Sequence, residues 1–332
     1  MTGWVLGVDS GGSGLRLALA RTGDDRGTPV PSATAAVDEP VRTGPSGIDA
    51  DHLLGLVLPR TTALLSELSD AARAGGDLPR IDAVCVGAAG MATLGDELRA
   101  VLPGAFAREV GAERVALAAD AVTAYAGALG ERPGVVVAAG TGMIATGTDL
   151  RAWRRADGWG HLLGDCGGGA WIGRAGLEAA LRAHDGREGG SRALLARVAA
   201  VFGPPASLPG TLYPRPDRPA VLASFAPEVA RCAREGDPVA ARIVDEAAVQ
   251  IATTAAAACP ETEGSLVAPT GGLLGLGEPL LVPLHRELAS RLPHTRPVPA
   301  AGDPLAGALL VADRLARGTL RLPADPALLH LG

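Results

Sequence analysis

Between Gly134 and Arg174 the chain packs an apolar strand, several glycine-rich turns and only three acidic residues into one segment. Val135, Val136 and Val137 are β-branched and uncharged, which predicts a strand buried on both faces, ended by Gly140-Thr141-Gly142. Glycines there let backbone N–H groups turn toward an anion without a Cβ in the way, and the Thr141 hydroxyl adds a movable donor. A phosphate is the expected guest. Gly140 to Ala145 also matches a GxGxxA dinucleotide fingerprint, which requires a helix to start at once. Gly147-Thr148-Asp149 is a second turn signal soon afterwards, so a tight β-hairpin is the better reading. A turn of this kind standing alone is more often a structural hairpin with no ligand.

It does not stand alone. Trp4 to Val8 reads as a strand running into Asp9-Ser10-Gly11-Gly12-Ser13-Gly14, after which Leu15 to Ala20 resumes an extended apolar pattern. An acid at a strand end, just before such a turn, is placed to hold a hydrated Mg²⁺ against phosphates bound by the Gly and Ser donors. Asp-Ser-Gly-Gly is also ordinary turn chemistry.

Strands are expected at Ile81–Gly90, at Val115–Ala119 with Asp120 opening a helix to Leu129, and at Leu266–Gly272. Helices are expected from the Asp49 cap to Arg73, and over Trp171–Ala183, Ala193–Val201, Phe225–Arg234, Pro238–Ala258 and Pro304–Arg317. Gly203 to Pro219 holds six prolines and is expected as a cover without regular elements. Strand and helix alternation argues an α/β chain, and 332 residues suggest two domains.

A net charge of −6 and no arginine stripe argue against a nucleic-acid-binding face. The chain contains neither lysine nor asparagine. A Walker A lysine and a Schiff base are therefore excluded, and phosphate binding falls to backbone, hydroxyls, arginine and metal. The four cysteines lack metal-ligand spacing and read as reduced thiols. No leader-like or membrane-length apolar run is evident, so a cytoplasmic protein without membrane partners is expected. Several residues keep two readings. Asp120 suits a helix N-cap, and Asp9 and Asp165 suit turns, whatever chemistry they carry. Cys166 with His161 could be a nucleophile pair or a small buried thiol. Trp153, Trp159 and Trp171 could stack on a ligand face or fill a core, and Arg151, Arg154 and Arg155 could simply solvate a hairpin.

Gly7-Val8-Asp9-Ser10-Gly11-Gly12, Ala119-Asp120-Ala121, Ala139-Gly140-Thr141-Gly142, Gly158-Trp159-Gly160, Leu163-Gly164-Asp165, Trp171-Ile172-Gly173-Arg174 and Gly271-Gly272 occur in one order along the chain. That order resembles the BadF/BadG/BcrA/BcrD-type ATPases of the actin, hexokinase and heat-shock chaperone superfamily. It is most similar to their N-acetylglucosamine and glucosamine kinases, nearest the actinobacterial glucosamine kinases. The resemblance implies two RNase H-like α/β domains with an interdomain cleft, over 1–115 plus 303–332 and over 116–302. It implies ATP and Mg²⁺ as cofactors, a small amino sugar as partner, and is compatible with a homodimer. Carried over, Asp9 would position Mg²⁺; Gly11, Gly12, Ser13, Thr141 and Gly142 would hold phosphates; Gly271 and Gly272 would contact adenosine. Asp120 would take the proton from a sugar hydroxyl, while Gly158, Trp159, Gly160, Asp165 and Ser46 would contact the sugar. The family's usual GDEGS is replaced by Gly164-Asp165-Cys166-Gly167-Gly168, removing a glutamate and a serine from the sugar side. A carboxylate beside glycines, without a bulky acetyl pocket, favours free glucosamine phosphorylated at its 6-hydroxyl. The alternatives are an N-acetylglucosamine kinase or a non-kinase ATPase of the same superfamily.

Overall fold

A computed structural model describes residues 3–11, 14–23, 27–44, 47–72 and 80–332. The chain divides into two units: residues up to Pro133 with 148–153 and 299–332, and residues 134–147 with 154–298. In chain order the first unit opens with β1 (Trp4–Gly11), β2 (Gly14–Arg21) and β3 (Ala33–Val37). A small ribbon, β4 (Thr43–Gly44) and β5 (Gly47–Ile48), and α1 (Ala50–Ala72) come next. Then follow β6 (Ile81–Ala88), the short α2 (Met91–Leu94), α3 (Asp96–Val110), β7 (Arg114–Ala119) and α4 (Asp120–Leu129). The second unit carries β8 (Gly134–Ala139), most of β9 (Met143–Thr148) and β10 (Trp153–Asp157), then α5 (Gly169–His184) and α6 (Arg192–Phe202). It continues with α7 (Leu208–Leu212), α8 (Arg218–Ala223), α9 (Ala226–Arg234), α10 (Pro238–Ala258), β11 (Leu266–Thr270), α11 (Glu278–Arg291) and β12 (Arg296–Pro297). The chain returns to the first unit for α12 (Pro304–Arg317) and β13 (Leu329–Leu331).

The first sheet has the order β13-β7-β6-β1-β2-β3. β1 pairs antiparallel with β2 and parallel with β6, and β6 pairs parallel with β7. Because β7 joins this sheet, residues 116–133 belong with the first unit rather than with the second, where the sequence reading had put them. A boundary at 115/116 would cut through a strand. Residues 299–302 likewise fall in the first unit.

Helix α12 lies on β1 and α4, and glycines make the contact possible. A Cβ at Gly7 would stand 2.8 Å from the Leu309 nitrogen, and one at Gly307 would overlap the backbone of Thr123 and Gly127 on α4. A Cβ at Gly127 would in turn overlap the Asp303 carbonyl. The two helices therefore meet backbone to backbone. Asp303 caps α12, accepting from the Ala306 N–H at 2.9 Å, with Pro304 in the first turn.

The second sheet has the order β10-β9-β8-β11-β12, with β8, β11 and β12 parallel. Val135 and Val137 enter a core formed with Ile172, Leu177, Val244, Ile251 and Leu284, while Val136 is buried outside it. The doubly buried strand is thus real, and the architecture is α/β in both units. The proline-rich stretch differs from expectation. It forms a 3-10 turn over Pro205–Ser207, then α7 and α8, each with a proline in its first turn. Proline lacks only an N–H that a first turn leaves unused, so it starts short helices rather than preventing them. No helix among the described residues is long and apolar enough to cross a membrane.

The α4–α12 contact yields a stability test. Gly307→Ala inserts a methyl group into backbone and should cost about 1–3 kcal/mol or more, read as a lower denaturation midpoint. A change under about 0.5 kcal/mol would mean that the helices part freely.

Candidate active site

Asp9 and Asp120 lie at the carboxyl ends of parallel strands in one sheet. Asp9 is opposite Gly87 on β6, and Gly87 is opposite Ala118 on β7, two residues before Asp120. Two inter-strand steps place the Asp9 and Asp120 backbones about 10–12 Å apart, room enough for a phosphoryl group between their side chains. The start of α4 is pinned to this row. The buried Thr123 hydroxyl donates to the Asp120 carbonyl at 3.0 Å, and its side chain packs on Gly87, where a Cβ would come within 2.7 Å. Asp120 itself is exposed and is the first helical residue, with Ala119 as N-cap; its Oδ1 accepts from the Ala121 N–H at 2.9 Å.

Asp9 faces Arg16 directly across the β1–β2 ladder. Arg16 donates to Asp9 Oδ2 from Nη2 at 2.6 Å and to Asp303 Oδ2 from Nη1 at 2.7 Å. Burial works to raise the Asp303 carboxyl, but the Ala306 N–H and the Arg16 guanidinium outweigh it and hold it below its ordinary value. Arg16 and Asp303 were not singled out from sequence. The signal was available: a hairpin that pairs Gly11 with Gly14 also pairs Asp9 with Arg16. Gly12, Ser13 and Ser46 lie outside the described residues.

In the second unit the turn at residues 140–142 is a hairpin, with no helix following it. It is stitched to the start of α5: the Gly169 and Ala170 N–H groups donate to the Gly140 and Thr141 carbonyls at 2.8 and 2.9 Å. Those helix-terminal donors are consumed, so an anion here would meet the turn and not the helix. Thr141 is exposed, and among the described residues no atom other than those of the chain neighbours lies within 4 Å of where a Cβ would stand on Gly140, Gly272 or, in the first unit, Gly11. Gly271, at φ 101°, presses on Ala139, so the Gly271-Gly272 turn sits beside the end of β8.

The loop over residues 157–166 is held by two aspartates in the left-handed region, Asp157 at φ 59° and Asp165 at φ 54°. Asp157 accepts from the Asp165 and Cys166 N–H groups at 2.7 and 3.0 Å, and Asp165 accepts from Gly160 at 3.2 Å. The Asp165 carboxylate also covers Gly142, where any Cβ would strike it. Asp165, Gly160 and Gly142 are thereby brought together. Asp157 escaped the sequence reading, although Asp157-Gly158 is a strong turn pair. Trp159 is 68% exposed, with the Arg155 guanidinium 5.1 Å above its ring. Arg155 is therefore a brace of this loop and more than a solvating charge. Trp153 bonds the Pro323 carbonyl and meets Tyr125 edge-on, and Trp171 packs on the core, so neither is a sugar platform. Burial and the neighbouring Asp157 and Asp165 raise the Cys166 thiol, the opposite of an activated nucleophile. His161 and Leu162 line a mainly apolar groove of about 390 Å³ along α5.

Burial and the nearby Asp157 raise the Asp165 carboxyl, against the Gly160 N–H that lowers it. A raised carboxyl binds its proton more readily in the folded state. The stability it contributes is complete below about pH 4, the ordinary carboxylate value, and is lost as pH rises through the raised one. Asn accepts from Gly160 equally and tolerates positive φ. Asp165→Asn should then have a higher Tm than wild type at neutral pH, with the two converging below about pH 4. A variant less stable at neutral pH would show that the charge itself is favourable.

The chain matches the model of the BadF/BadG/BcrA/BcrD ATPase family over residues 6–312. An N-acetylmuramic acid/N-acetylglucosamine kinase of Clostridium acetobutylicum is 29% identical over 188 residues, 55% of each protein, so the chain spans about half the length of that curated relative. A candidate N-acetylglucosamine kinase from Chromobacterium violaceum has TM-score 0.64 and 29% identity, covering 92% of this chain and 98% of its own. A ROK family glucokinase from Streptomyces griseus, solved with glucose and AMPPNP, has TM-score 0.52 at 21% identity, covering 95% and 100%; that likeness concerns the fold alone.

Proposed function

Since the chain belongs to the BadF/BadG/BcrA/BcrD ATPase family, we propose that it is an ATP-dependent kinase that phosphorylates the 6-hydroxyl of glucosamine. The observation that carries this reading is the shared row of Asp9 and Asp120 at the carboxyl ends of β1 and β7. Phosphoryl transfer requires an aligned alcohol, neutralised phosphoryl oxygens and little else from the protein. Asp120 is exposed at its helix start, and in this reading it orients the 6-hydroxyl and accepts its proton. Gly11 and, in the second unit, the exposed Thr141 hydroxyl offer open or donor-bearing turns to phosphates, with Gly142 behind Thr141 under the Asp165 carboxylate; Gly272 is the open member of the Gly271-Gly272 turn assigned to the nucleoside. Gly158, Trp159, Gly160 and Asp165 meet the sugar.

Mg²⁺ fits Asp9 as a nucleotide-borne ion and does not fit a cage made by the protein. No cluster of three or more His, Cys, Asp or Glu side chains suited to a metal occurs among the described residues. Asp9 does already receive a cation, the Arg16 guanidinium, and Mg²⁺ commonly takes one or two carboxylates together with phosphates. When bound, the ion would supply charge neutralisation at the phosphoryl oxygens.

The acceptor has a second reading with specific support. Both relatives at 29% identity carry descriptions as N-acetylglucosamine kinases. The groove lined by His161 and Leu162 gives an acyl group apolar surface to meet.

The test is ADP release from ATP with Mg²⁺ across glucosamine, N-acetylglucosamine and glucose. A higher kcat/KM for glucosamine is expected, and preference for the acetylated sugar selects the second reading. Asp120→Asn should lower kcat by about 10²–10⁴ with ADP affinity within threefold of wild type. ADP release independent of any sugar would overturn the kinase reading.

A further inference from the structure

Three charges meet at the end of the first hairpin, two carboxylates and one guanidinium. The strand fixes Asp9, whose side chain is 15% exposed, and the α12 cap fixes Asp303. Arg16 is the long, rotatable member, and its side chain is 45% exposed. It divides its nitrogens: Nε and Nη2 face Asp9, and Nη1 faces Asp303. A guanidinium can thus leave Asp9 without becoming unpaired, because the second carboxylate already holds it. The arrangement would be unnecessary if Asp9 kept Arg16 permanently. It is suited to a carboxylate that exchanges one cation for another.

We propose that Arg16 is the resident counter-ion of Asp9, displaced when a metal–nucleotide binds, and that Asp303 is the positioning residue that retains Arg16 during the exchange. The proposal rests on the reading of Asp9 as the metal-bearing carboxylate. Both effects of removing the Asp303 charge have one sign: Arg16 settles more firmly on Asp9, and the site becomes less attractive to a dication.

The experiment is calorimetric titration of ADP at a series of Mg²⁺ concentrations. It uses wild type, Asp303→Asn, Arg16→Met, the double variant and Asp9→Asn. Asn caps a helix about as well as Asp, so α12 keeps its start. Asp303→Asn should raise the Mg²⁺ concentration for half-maximal ADP binding about fivefold, and Arg16→Met should lower it by a similar factor. In the Arg16→Met background Asp303→Asn should act less than twofold, since the part of its effect that runs through the arginine is gone and only the direct effect on the dication is left. An unchanged Mg²⁺ dependence in Arg16→Met, or an equal Asp303→Asn effect with and without Arg16, overturns the proposal. If Asp9→Asn abolishes the Mg²⁺ dependence while the other variants leave it intact, only this proposal fails. If Asp9→Asn leaves it intact, the metal reading of Asp9 fails as well.

Discussion

The parallel register of β1, β6 and β7 is the constraint on which the rest of the site depends. Parallel strands share a direction, so their carboxyl ends share an edge, and whatever follows each strand is delivered to the same place. Asp9, Gly87 and Ala118 fall in one row, and α4 begins just beyond it. A one-residue slip of β1 would turn Asp9 to the other face of the sheet and away from Arg16. The backbone-to-backbone contact of α12 with α4 then fixes the helix that carries Asp303 against the helix that begins with Asp120.

The second unit solves a different problem. Its hairpin turn is held by carbonyls that accept from the first N–H groups of α5, and the loop at residues 157–166 is clasped by two aspartates that each accept from the other's neighbourhood. Rigid turns of this sort lose little entropy on binding, which suits a site that must align a ligand rather than wrap one. The cost is visible in Asp165, whose carboxyl is held above its ordinary value by burial and by the charge of Asp157.

Local signals in the sequence were reliable where a single physical rule governs. Asp237 and Asp303 accept from backbone N–H groups at the starts of α10 and α12, as Asp-Pro pairs imply. The hairpin after β8 was legible because the turn signal at Gly147-Thr148-Asp149 comes too soon for the helix a dinucleotide site needs, although Gly147 and Thr148 themselves end β9 and the turn follows them. The domain division was not legible from local signals, because membership of β7 in the first sheet is a pairing between distant segments. The helices in the proline-rich stretch were missed because proline was read as a breaker when it was an initiator. Asp157, Arg16 and Asp303 act through tertiary or cross-strand partners, so their roles emerge only with the register. Gly12, Ser13 and Ser46 lie outside the described residues, and their part in the site is a matter of sequence alone.

The central claim is that Asp9 carries the metal that accompanies the nucleotide. It is tested most directly by anomalous diffraction from crystals grown with Mn²⁺ and a non-hydrolysable ATP analogue. The account predicts a manganese peak bonded to the Asp9 carboxylate directly or through one water, and its loss in Asp9→Asn. A peak coordinated elsewhere, unaffected by that substitution, would contradict it.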